Sequence, residues 1–151
     1  MRFALDSNFI LYCEGMHADV RSKIAQDLVV AMGGMPVIIP HQVLGETLNV
    51  MLRKMKLEKL VALAKIDEWR GDCILQETNT TVLLESMAIM RVHNFQVWDA
   101  VILAAASISG ADYLLSEDMQ DGFHWQYTEV VNPFAKTPHP IIPALLNRTE
   151  G

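Results

Sequence analysis

The sequence is poor in cysteine, in positive charge and in long apolar runs. Its two cysteines, Cys13 and Cys73, stand far apart and form no CxxC pair. That excludes a disulfide scaffold and a cysteine zinc site, and it fits a reducing compartment. Twelve Lys plus Arg stand against eighteen Asp plus Glu, a formal net charge of −6. This argues against a protein that holds nucleic acid by bulk positive charge. The longest apolar stretch, residues 28–40, is broken by Gly33, Gly34 and Pro36 and falls short of the ~20 residues a membrane helix needs. Asp6 interrupts the first apolar run too early for a signal peptide. The five histidines show no HxH or HExxH spacing, and there is no GxGxxG, Walker A loop or GxSxG elbow. The expectation is a cytoplasmic protein without a membrane segment.

What is present is a core. Hydrophobic residues make up 51% and charged residues 20% of 151, which suits one globular domain. The nine methionines fall mostly on helical apolar stripes and read as core filler. Short apolar runs at 2–6, 37–39, 73–76, 112–115 and 128–131 read as strands. Helical spacing covers 19–32 (stripe Val20, Ile24, Leu28, Ala31), 41–55, 57–70 (Leu57, Leu60, Val61, Ala64, Ile66), 80–91 and 98–109. Ser7 or Asn8 and Thr80 or Thr81 are expected near helix starts, with stops at Gly33-Gly34, Gly71 and Gly110. The 98–109 helix is almost wholly apolar and should be packed on several sides. From Asn132 on, Pro133, Pro138, Pro140 and Pro143 predict an extended tail with a short turn near 144–147. Residues 1–131 would then form the domain, with 132–151 packed on it or extending from it. Alternating strands and helices imply an α/β fold, a mostly parallel sheet between two helical layers. In such sheets ligands bind beyond the carboxyl ends of the strands, so functional residues should follow strands.

Four acids meet or can reach that condition. Asp6 ends the first strand, Glu46 lies on the helix after the second, Asp99 opens the apolar helix and Asp118 follows DYLL. Each has a plainer alternative: a helix cap for Asp6, a solvated face shared with Gln42 and Asn49 for Glu46, a dipole partner for Asp99, a turn former for Asp118. Asp121 before Gly122 reads first as a turn former, and Glu117 lies beside Asp118. No Lys or Arg stands near these acids in sequence, so gathered carboxylates would repel. A hard divalent cation resolves this, because it takes oxygen ligands and keeps several waters.

At these positions the chain resembles a family. DSN at 6–8, GE at 45–46, WDA at 98–100 and SED at 116–118 look like the four acidic motifs of PIN domains, with VapC-type toxins the nearest likeness. VWDAVILAAA followed by LLSEDMQDG is the most specific stretch, and the resemblance spans residues 2–131. Ser7 and Ser116 stand where the family often has Thr, and the hydroxyl survives in both. The resemblance implies a flavodoxin-like three-layer α/β/α sandwich and a Mg²⁺- or Mn²⁺-dependent endoribonuclease, the toxin of a toxin–antitoxin pair. It makes Asp6, Glu46, Asp99 and Asp118 the catalytic, metal-binding acids, with Asn8 and Ser116 as polar support and Asp121 an uncertain addition. It also implies a homodimer, a cognate antitoxin, and products with 5′-phosphate and 3′-hydroxyl ends. An RNA-processing nuclease that is not a toxin and a non-catalytic binding module are the alternatives. A phosphatase would need a DxD loop, which Asp6-Ser7-Asn8 lacks. Arg53, Lys54, Lys56 and Lys59 could guide RNA phosphates toward the acids, or could simply favour a helix C-terminus.

Overall fold

The computed structural model describes residues 1–148. Among these residues the chain forms six strands: β1 (Phe3–Leu5), β2 (Val37–Pro40), β3 (Ile74–Gln76), β4 (Tyr113–Leu115), β5 (His124–Trp125) and β6 (Thr128–Val131). The helices are α1 (Ser7–Cys13), α2 (Val20–Ala31), α3 (His41–Arg53), α4 (Lys59–Asp72), α5 (Thr80–Val92), α6 (Val97–Ile108) and α7 (Ile141–Asn147). The strand order is β3-β2-β1-β4-β6-β5, parallel except for the antiparallel β5–β6 pair. This is the expected three-layer α/β/α sandwich.

The central strands are short and apolar on both faces because both faces are covered. Phe3, Ala4, Leu5, Ile38, Ile39, Leu114, Leu115, Val130 and Val131 are fully buried. α6 is buried from Ala100 through Ala106; its small side chains let α5 and β2 approach closely. Gly110 follows its end with φ +78°, a conformation that disfavours a Cβ.

Several expectations need correction. The cap of α1 is Asp6, not Ser7 or Asn8; α5 does start at Thr80, as expected, and is capped by Asn79, whose side chain accepts from Val82 N–H. The buried side of α2 is Ser22, Ala25, Leu28 and Ala31, while Val20 is exposed. Ser22 Oγ donates to Met16 O on this side, where α2 packs on α1. α4 turns Ala62, Ile66 and Trp69 inward and leaves Leu60, Val61 and Ala64 exposed. It also continues through Gly71. The hairpin strand β5 was not expected. Nor was α7, since prolines suggested an extended tail. Pro143 falls in the first turn of α7, where no amide donor is needed, and Ile142 and Leu145 join the core.

Candidate active site

β1 lies between β2 and β4, so the chain's connections diverge to either side of β1. A crevice opens at the carboxyl end of such a switch point. Asp6 emerges there directly after β1, and Ser116–Asp118 directly after β4. α3 starts directly after β2 and carries Glu46 in its second turn. α6 runs back toward β4, so its first turn, with Asp99, lies at the same edge of the sheet.

Asp6 is the deepest of the four, with 3% of its surface exposed. Its Oδ1 accepts from Ser7 N–H at 2.7 Å and its Oδ2 from Ser116 Oγ–H at 2.7 Å. Burial pushes its carboxyl from 3.8 up to about 6. The two hydrogen bonds oppose this, and the charges of Asp118 and Glu46 add to it. Asp99 is also held above the ordinary range, first by burial and then by Asp118 and Glu46. Asp118 is raised by burial and by the charge of Glu117. Its Oδ2 accepts from Asn8 Nδ2 at 2.6 Å. Glu46 accepts from Gln42 Nε2 at 3.2 Å, one helical turn earlier. The fold therefore brings the four acids into one electrostatic unit, with Asn8 and Ser116 holding two of them.

No Lys, Arg or His among the described residues forms an ion pair with any of the four. The donors are all oxygen, and the uncompensated charge suits a hard divalent cation. Among the described residues no group of three or more His, Cys, Asp and Glu side chains lies close enough together to hold a metal ion by itself.

The neighbouring acids are otherwise engaged. Asp121 accepts from the backbone N–H of Asn132 at 2.8 Å, as a turn residue. Glu117 accepts from Tyr12 Oη–H at 2.6 Å and pairs with Arg21 at 3.3 Å. Tyr12 and Arg21 were missed in the sequence; the spacing of Asn8 and Tyr12, four apart on one helix, is the signal that could have found the first. Arg53, Lys54, Lys56 and Lys59 are exposed around the end of α3 and the start of α4. Lys54 lines a groove with Asn8, Tyr12, Met16, His17 and Met55; none of the four acids lines it, and its link to them is Asn8, which donates to Asp118.

Comparison with known proteins bears on the family and the fold. The family model for the PIN domain matches residues 3–121. Similar solved structures include the Mycobacterium tuberculosis toxin VapC20, described as cleaving the sarcin–ricin loop. It is 18% identical, with 77% of this chain and 89% of that chain covered and a TM-score of 0.64. A toxin–antitoxin complex from Klebsiella pneumoniae is 16% identical, covering 83% of this chain and 93% of that chain, TM-score 0.61. VapBC2 from Rickettsia felis, bound to a DNA fragment from their promoter, is 15% identical over 78% and 89%, TM-score 0.58. At these identities the likeness is one of fold. No curated protein sequence matches the chain.

Proposed function

This chain belongs to the PIN domain family, and from that premise we propose that it is a divalent-cation-dependent endoribonuclease, the toxin of a toxin–antitoxin pair. The observation that carries the reading is the set of four acids, Asp6, Glu46, Asp99 and Asp118, whose charges act on one another at the switch point of the sheet, with no Lys, Arg or His among the described residues paired to them. These four would hold Mg²⁺ or Mn²⁺. The bound ion supplies Lewis acidity toward the phosphodiester and toward the attacking water. Ser116 and Asn8 keep the oxygens of Asp6 and Asp118 oriented through hydrogen bonds at 2.7 and 2.6 Å, and Gln42 does so for Glu46. Hydrolysis on this route needs no side-chain nucleophile. Lys54, in the groove lined by Asn8 and Tyr12, would with Arg53, Lys56 and Lys59 attract the RNA backbone despite the net charge of −6.

The partner proposals rest on surface chemistry and on the neighbours. Leu60 on α4 and Leu84 on α5 are 69% and 59% exposed, which supports burial against another chain, a second copy or an antitoxin. Two of the structural neighbours are toxin–antitoxin assemblies.

The test is cleavage of a mixed RNA pool by antitoxin-free protein with Mg²⁺, Mn²⁺ or EDTA, beside a folded Asp99→Asn variant. Cleavage that requires the metal and drops by about 100-fold or more in the variant is expected. Equal cleavage by both proteins would sink the assignment. A folded protein that binds the metal without cutting any RNA would favour the non-catalytic module instead.

A further inference from the structure

One helical turn separates Asn8 from Tyr12, so both side chains leave α1 on the same face. They grip two adjacent residues, one each. Asn8 Nδ2 donates to Asp118 Oδ2 at 2.6 Å, and Tyr12 Oη donates to Glu117 Oε1 at 2.6 Å. Arg21 completes the arrangement from α2. Its Nη1 donates to Tyr12 Oη at 2.8 Å and to Glu117 Oε1 at 3.3 Å. Its guanidinium carbon sits 4.6 Å from the centre of the Tyr12 ring. The other edge of the guanidinium is held by Asp19, the cap of α2, with Nη2 at 2.7 Å and Nε at 3.0 Å from Oδ2. The Tyr12 hydroxyl gives its proton to Glu117 and takes one from Arg21. Tyr12 is buried, so its oxygen has no ready substitute in water.

We propose that Tyr12, Arg21 and Glu117 form a clamp that positions Asp118 for the acidic site. The inference rests on the reading of that site as a divalent-cation centre. Glu117 is adjacent to Asp118, and the two are anchored at successive points on one helix face. The backbone between them is thereby prevented from rotating Asp118 away from Asp6 and Asp99. The same contacts keep the Glu117 carboxylate on Arg21 and out of the ligand set, although it neighbours a ligand in sequence. They also commit Arg21 to the protein, so that it is unavailable as an RNA contact. These are positioning residues, comparable to the outer partners that orient metal ligands.

The experiment uses the full chain and three variants, Tyr12→Phe, Glu117→Ala and Glu117→Gln, each checked by thermal unfolding. Mn²⁺ affinity is measured by calorimetry, and the Asn8 side-chain amide is followed by ¹H–¹⁵N NMR in metal-free protein. Tyr12→Phe and Glu117→Ala should weaken Mn²⁺ binding by about tenfold and move the Asn8 amide resonance. Glu117→Gln retains an acceptor for Tyr12 Oη and should recover most of the affinity. Wild-type Mn²⁺ affinity with an unmoved Asn8 resonance in Tyr12→Phe and Glu117→Ala would overturn the clamp, leaving a purely structural contact. Equal loss in Glu117→Ala and Glu117→Gln, with Tyr12→Phe intact, would overturn it differently, by making Glu117 a ligand itself. If the wild type binds no Mn²⁺, the reading of the site fails separately. The Asn8 resonance then still decides whether Tyr12 and Glu117 hold Asp118.

Discussion

Asp6 does two jobs that oppose each other. As the cap of α1 it accepts a backbone hydrogen bond, and as the proposed metal-site acid it would carry charge where water is scarce. The rise of its carboxyl from 3.8 to about 6 corresponds to about 3 kcal/mol of disfavoured ionisation. The sign follows from proton binding. Between about pH 4 and 6 the folded chain holds a proton that the unfolded chain has released, so stability falls as pH rises through that window. Asp6→Asn keeps an acceptor for Ser7 N–H and removes the charge. In EDTA it should be more stable than wild type by about 2 kcal/mol at pH 7.5, measured by urea unfolding. The difference should vanish below about pH 4; a pH-independent gain would show that charge is not its source. A site acid that costs stability when bare is what a cation site requires, since ligands must be deprotonated to bind. Residue by residue, the roles of Asp6 and Asp99 were suggested by sequence: an acid at a strand end, an acid among apolar residues. Glu117 could not be assigned that way, because only its contacts with Tyr12 and Arg21 separate it from Asp118.

At the scale of elements, α6 and α7 mark opposite extremes. The unbroken apolar stretch of α6 announced a helix packed on several sides, and Ala100 to Ala106 are indeed all buried. α7 was hidden by its prolines, whose local restriction does not reveal that Pro143 sits in a first turn. α7 packs against α2 and contributes Ile142 and Leu145 to the main core. We therefore expect Leu145→Ala to lower stability by about 2–5 kcal/mol, seen as a lower urea midpoint with an unchanged slope. A loss below about 0.5 kcal/mol would mean that the tail is not part of the cooperative unit. The misjudged faces of α2 and α4 have one cause. Each helix has more apolar residues than one stripe can bury, so periodicity alone leaves the rotation undecided, and packing against α1 and α3 chooses it.

For the whole molecule, charge distribution matters more than its sum. The chain carries −6 overall, yet Arg53, Lys54, Lys56 and Lys59 are exposed together at one junction. If this junction guides RNA, Lys54→Ala and Lys56→Ala in an Asp99→Asn background should weaken RNA binding at low salt. Each should also reduce the slope of log affinity against log salt by about 0.7, the value per phosphate contact on a single strand. An unchanged slope would place the RNA elsewhere on the surface. Among the described residues no helix is long and apolar enough to cross a membrane.

By itself the sequence determined the alternation of strands and helices, the acids at strand ends and the apolar character of α6. Those properties are local: they depend on side-chain period, on capping types and on the need of any apolar segment for cover. Tertiary structure alone decided which faces of α2 and α4 turn inward, the docking of α7, the strand order that opens a crevice beside β1, and the partners of Glu117 and Asp121. Those outcomes depend on contacts between residues as much as 110 positions apart, such as Ser116 with Asp6 and Asn8 with Asp118. Local propensity carries no information about such pairs, because their geometry exists only once the sheet has formed between them.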